Sequence, residues 1–147
     1  MDTSRLPTLF ISHGSPMLAL DTANPAYEFL QELGSSLPRP TSILVISAHW
    51  ETSTPRITAA EHLDTIHDFY GFPRELFDVR YEAPGLPALA DEVSDVVSPT
   101  SVGADIDSWG IDHGTWSVPV PAFPAADIPV VQLSINESKP LESHLDL

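Results

Sequence analysis

Three apolar runs of strand length, each stopped by a turn-forming or polar residue, most constrain what this sequence can fold into. Thr8-Leu9-Phe10-Ile11-Ser12 stops at His13-Gly14-Ser15-Pro16, and Ser42-Ile43-Leu44-Val45-Ile46-Ser47 stops at Ala48-His49-Trp50. The third run, Ile128-Pro129-Val130-Val131-Gln132-Leu133-Ser134-Ile135, gives way at Asn136. β-Branched runs with no polar alternation predict strands apolar on both faces, as in a parallel sheet covered by helices. Between the first two runs, Pro25 opens a helical stretch to about Leu37, with Tyr27, Leu30, Leu33 and Leu37 near one face and Asn24 as its cap. Strand, helix, strand in this order is a parallel βαβ unit. The predicted fold is therefore one α/β domain over residues 1–147, three layers (α/β/α) around a largely parallel or mixed sheet.

The remaining segments are read from local pattern. Leu86 to Val97 is a second helix, with Leu86, Leu89, Ala90, Val93 and Val97 on one face. Arg56 to Ala60 and Val79 to Glu82 are short strands. Asp64 to Pro73 and Asp107 to Trp116 are loops, and Pro119, Pro121 and Pro124 carry an irregular stretch toward Ile128. Asn136 to Leu147 starts another helix, either one that docks on the sheet or one that begins a continuation of the fold.

Charge narrows the partners. Six basic residues face 21 acidic ones, for a net charge of -15. Such a surface repels phosphate backbones and anionic membranes, which argues against nucleic-acid and membrane partners. With Lys139 as the one lysine, the balance fits a protein adapted to high salt or an ordinary acidic cytosolic protein. Met1 to Arg5 lacks the start of a signal peptide, and no apolar run approaches the roughly 20 residues of a membrane span, so a soluble, cytoplasmic protein is expected. The absence of cysteine leaves His, Asp and Glu as the only metal-binding side chains.

His13 and His49 are the leading candidates. Each follows an apolar run, and their separation of 36 residues suits one βαβ repeat. Ligands in open α/β sheets gather at the carboxyl ends of the strands, so two imidazoles there point to a metal. His113, in Gly110-Ile111-Asp112-His113-Gly114-Thr115-Trp116, is an imidazole beside a carboxylate. It suits acid/base chemistry or substrate binding, or a turn in which Asp112 caps backbone amides. His67 and the run Asp68-Phe69-Tyr70-Gly71-Phe72-Pro73 suit an aromatic pocket wall or packing over a sheet edge. His62 and His144 read as surface residues, and Ser12 and Ser47 as local backbone partners.

These same motifs resemble a known family. Phe10-Ile11-Ser12-His13-Gly14-Ser15-Pro16 and Ile46-Ser47-Ala48-His49-Trp50-Glu51 resemble the two metal motifs of class III extradiol ring-cleavage dioxygenases of the LigB type, in the 4,5-DOPA dioxygenase-like branch. The Asp68–Pro73 run, Tyr81-Glu82-Ala83-Pro84-Gly85, the His113 motif and the Ile128–Ile135 run follow in the family's order. The resemblance implies a mononuclear non-haem metal, Fe(2+) or Zn(2+), held by His13 and His49. It places His113 in the catalytic site and Asp68, Phe69 and Tyr70 toward the substrate. The implied reaction opens a small catechol-type, DOPA-like aromatic diol with O2. The resemblance also makes the chain the N-terminal portion of a longer domain, with further ligands beyond Leu147. The rival readings are a zinc-dependent hydrolase and a catalytically inactive metal- or protein-binding relative.

Overall fold

A computed structural model describes residues 6–145; the segment read for a signal peptide, Met1 to Arg5, lies outside them. Four strands, β1 (Ile43–Thr52), β2 (Arg56–Thr58), β3 (Gly103–Asp105) and β4 (Val130–Asn136), form one mixed sheet in the order β1-β4-β2-β3. β1 runs parallel to β4 and β2 parallel to β3, while β2 meets β4 antiparallel. The turn from β1 to β2 straddles the end of β4. There the Ser134 hydroxyl lies 2.6 Å from that of Thr52 and accepts the Arg56 N–H at 2.8 Å.

β4 is the spine of the domain. Its Val130 packs with Leu63, Tyr81, Ile111 and Trp116 on one face, and its Val131 and Leu133 pack with Ile57 and Ala90 on the other. Helix α1 (Pro25–Ser36) starts at Asn24, whose side chain accepts the Ala26 N–H at 3.0 Å, as the sequence predicts. Short helices α2 (Arg74–Phe77), α4 (His113–Trp116) and α5 (Pro119–Ala122) follow α1 on the first face, and α1 lies close enough on α5 that a Cβ on Gly34 would sit 2.0 Å from the Ala122 carbonyl oxygen. Helix α3 (Pro87–Val96) covers the second face with the predicted Leu86, Leu89, Ala90 and Val93. Helices on both sides of a mixed sheet give the expected three layers. Among the described residues no helix is long and apolar enough to cross a membrane.

Several expectations fail locally, each for a physical reason. Residues 8–12 form no strand: they share no ladder with a described strand, and Phe10 is fully exposed. An apolar run becomes a strand only where its backbone finds an edge to pair with. The expected βαβ unit is therefore absent, and β1 finds its parallel neighbour in β4. Nor is β1 buried on both faces. Leu44 and Ile46 lie in register with Val131 and Leu133 but beyond the cover of α3, and stay 44% and 63% exposed. Val79 to Glu82 is held by side chains instead of a ladder, with the Thr65 hydroxyl accepting the Tyr81 N–H and the Tyr81 hydroxyl donating to the Phe123 carbonyl.

Where a loop was expected before Trp116, Asp112 caps the Thr115 N–H at 2.9 Å and starts α4. Pro119 at a first helical position likewise makes one turn of α5 out of the proline stretch. After β4 the Asn136 side chain accepts the Ser138 N–H and hydroxyl, which diverts the chain into a turn. Among the described residues, which leave out the last two of the expected helix, a 3-10 turn, Leu141–His144, stands in its place.

Asp105 closes β3 with a buried carboxylate that accepts from the Ser108 N–H and hydroxyl, the Trp109 N–H and Arg56. Burial pushes this carboxyl up, but the Ser108 and Trp109 hydrogen bonds and the Arg56 charge together hold it below the ordinary carboxylate range. A depressed folded-state value means stability that is present above the unfolded value of about 3.9 and lost as pH falls through the folded one. Asp105→Asn is expected to cost about 2–4 kcal/mol at pH 7. In urea melts, the gap to wild type should narrow as pH falls below the ordinary carboxylate range and through the depressed folded-state value. A gap independent of pH would contradict this.

Candidate metal centre

Three histidines from three different elements meet at one end of β1. His13 sits in the loop before a 3-10 turn (Pro16–Ala19) that Ser15 caps, and Gly14 beside it takes φ 60°, a conformation open chiefly to glycine. His49 lies on β1, where the pairing with β4 slips between Ile46 and Glu51. Such irregularities re-aim side chains, so the strand runs on past the predicted stop and presents His49 from within. His113 is the first residue of α4.

The Nε2 atoms of His13 and His49 are 2.9 Å apart, and one nitrogen from each of the three rings lies within 4.8 Å of the others. Two nitrogens bound to a common ion at about 2.1 Å stand roughly 3.0–3.4 Å apart at octahedral to tetrahedral angles. The donors therefore fit a divalent cation of the kind imidazole favours, zinc or iron(II) among them. Burial, followed by the charges of His113 and His49, holds His13 below the ordinary histidine value, against the upward pull of Asp112 and Asp68. That favours the neutral, ligand-competent ring. The His13 Nδ1 is buried without a hydrogen-bond partner among the described residues.

A buried polar network holds the backbone segments that carry His49 and His113. Asp112, fully buried, accepts from the Ser47 hydroxyl at 2.9 Å, the Thr115 N–H and the Gln132 side-chain amide. The Ser47 oxygen in turn accepts the His49 N–H at 3.2 Å, and Thr115 donates to Gln132. One carboxylate thus ties β1, β4 and α4 together beside His49 and His113. No cationic side chain pairs with Asp112 among the described residues; donated hydrogen bonds satisfy it. At Gly114 a Cβ would fall 2.5 Å from the His49 ring, so only glycine lets α4 approach this closely.

The sequence pairs His113 with its neighbour Asp112; the structure pairs it with Asp68. The His113 ring Nδ1 and backbone N–H both reach Asp68 Oδ1, at 2.8 and 3.0 Å. Burial raises the Asp68 carboxyl, but the His113 backbone and ring hydrogen bonds and its charge together hold it below the usual carboxylate range. Phe69 meets the His113 ring edge-on, with centroids 5.5 Å apart, while the Tyr70 side chain is exposed. His67 joins the aromatic group of Phe69, Phe77 and Trp116. His144, read as a surface residue, is half-buried and accepts the Asn136 N–H. A separate hollow of about 590 Å³, lined by His62, His67, Arg80 and Glu82 among others, includes none of the three converging histidines.

Sequence reasoning found all three histidines and missed what holds them: Ser47 as a link to Asp112, and Gln132, Thr115 and Gly114. The one visible hint was Gln132, a polar residue in the middle of an apolar strand.

Comparisons with known proteins identify the family of the chain. The family described as the catalytic LigB subunit of aromatic ring-opening dioxygenase matches residues 7–147. A 4,5-DOPA dioxygenase extradiol of Escherichia coli (strain K12) is 48% identical over 147 residues, all of this chain and 54% of the relative. One from Beta vulgaris is 44% identical over 144 residues, 95% of this chain and 51% of the relative. The chain thus spans about half the length of the curated relatives it matches. The crystal structure of an uncharacterized protein, JW3007, from Escherichia coli K12 superposes with a TM-score of 0.67 at 43% identity, over 82% of this chain and 44% of that one. The chain belongs to the LigB family, among its 4,5-DOPA dioxygenase-like extradiol members, and corresponds to their N-terminal portion.

Proposed function

We propose that this chain carries the metal-holding and proton-handling part of an extradiol dioxygenase that opens a catechol-type, DOPA-like diol with O2. The carrying observation is the convergence of three imidazoles from separate elements on one point. His13 and His49 hold the mononuclear metal, iron(II) or zinc. When bound, the ion supplies open positions at which a diol and O2 meet. His113, with Nδ1 engaged by Asp68, has Nε2 left to take a proton from a diol hydroxyl. Phe69 backs the His113 ring, and in this reading Tyr70, the next residue along the chain and exposed, walls the bound aromatic ring.

His113→Ala in a chain extended to the length of its relatives is expected to keep its metal and slow ring opening by roughly 10²-fold or more. Metal content and the rate of product appearance from a catechol check this together. Loss of metal with His113→Ala would make His113 a third ligand, and wild-type turnover would leave it a structural role. The same nitrogen donors also suit zinc-activated hydrolysis. Ester cleavage without ring-opened product would favour that second reading.

A further inference from the structure

We propose that Asp68 is the positioning residue of the site: it acts through His113, fixing which ring nitrogen carries the proton. The inference rests on the proposed role of His113 in handling a diol proton.

Asp68 Oδ1 meets the His113 Nδ1 at 2.8 Å and the His113 backbone N–H at 3.0 Å. A carboxylate can only accept in this pair, so the neutral ring must carry its proton on Nδ1. An isolated neutral imidazole prefers the other tautomer, with the proton on Nε2. Asp68 therefore reverses the intrinsic preference and leaves Nε2 as a bare lone pair. A ring in the opposite tautomer would offer a hydrogen where a base needs an acceptor.

The backbone bond matters as much as the ring bond. Because one oxygen holds both the main chain and the ring of His113, the carboxylate fixes the first turn of α4 and the ring angle as a unit. Phe69, the next residue, braces the ring edge-on, so residues 68–69 hold His113 by hydrogen bond and by packing. Among the described residues, no other carboxylate pairs with the His113 ring. The sequence neighbour Asp112 spends its oxygens on Ser47, Thr115, Trp109 and Gln132.

The chemistry balances without a further reagent. A diol O–H bond breaks, its proton bonds to the His113 Nε2, and the electron pair stays on the diol oxygen. The ring becomes an imidazolium with both nitrogens protonated, and Asp68 faces the new positive charge through the unbroken Nδ1–H bond. In this arrangement Asp68 does not touch the substrate, unlike the role the family resemblance implies for it.

The test is two-bond ¹H–¹⁵N correlation of the histidine rings in the ¹⁵N-labelled chain, with and without zinc, and with His113 assigned by His113→Gln. The wild type is expected to show His113 protonated on Nδ1. Asp68→Ala should move most of the population to the Nε2–H form, and Asp68→Asn, which keeps an acceptor oxygen, should restore Nδ1–H. A wild-type ring protonated on Nε2 overturns the proposal, as does an Asp68→Ala ring that keeps Nδ1–H. The wild-type spectrum alone can overturn it, so the test survives a variant that folds poorly. If the tautomer follows Asp68 while His113→Ala turns over at the wild-type rate, the Asp68 assignment stands and the proton-handling reading falls.

Discussion

His13→Ala and His49→Ala are each expected to reduce bound zinc or iron(II) to a small fraction of the wild-type amount. Two protein nitrogens 2.9 Å apart are the core of the site, and removing either leaves one firm ligand plus whatever His113 offers. Chelation is then lost, and one imidazole does not hold a divalent ion against water and buffer. The variants should still fold, because neither His13 nor His49 belongs to the two apolar clusters that hold the sheet. The folded state should also lose its metal-dependent stabilisation. Ligand that binds only the native state raises stability by about 2.7 kcal/mol at a hundredfold excess over Kd. Zinc should therefore raise the melting temperature of the wild type and leave both variants unmoved. Equal metal content in wild type and both variants would remove these residues from the centre.

The 147-residue chain, loaded anaerobically with iron(II), is expected to consume no more oxygen with a catechol than free iron(II) does. His113 is buried, but His13 and His49 lie partly open, and the hollow beside His13 is shallow, about 270 Å³. A ring-opening site must exclude water around its charged groups to make them effective, and the described residues provide no such cover. Phe10, Leu44 and Ile46 are large apolar side chains left exposed, so the chain is also expected to self-associate. The net charge of -15 opposes association at low salt through self-repulsion, which salt screens. Oxygen uptake at low and at molar salt is the measurement. Sustained, catechol-dependent turnover at either salt would show that these residues alone complete the site.

The sequence was most legible where chemistry and local pattern coincide. Ile43–Ser47 and Val130–Ile135 announce themselves by β-branching, α1 by Asn24 and Pro25, and α3 by its apolar face. His13 and His49 are legible because each stands just past an apolar run, although residues 8–12 form no strand and β1 runs on through His49. What stayed hidden depends on partners far along the chain. Residues 8–12 look as strand-like as 42–47, and only the absence of a ladder separates them. Gly103–Asp105 becomes a strand because β2 pairs with it, with no apolar pattern of its own. The Asp68–His113 pair spans 45 residues and could not be read from spacing, whereas the adjacent Asp112 offered a plausible wrong partner.

X-ray absorption at the metal edge of the zinc-loaded chain tests the central claim most directly. The account predicts nitrogen at about 2.0–2.1 Å with the outer-shell scattering of at least two imidazole rings, lost in the His13→Ala, His49→Ala double variant. A shell of oxygen alone in the wild type, or an imidazole pattern unchanged in the double variant, would contradict it.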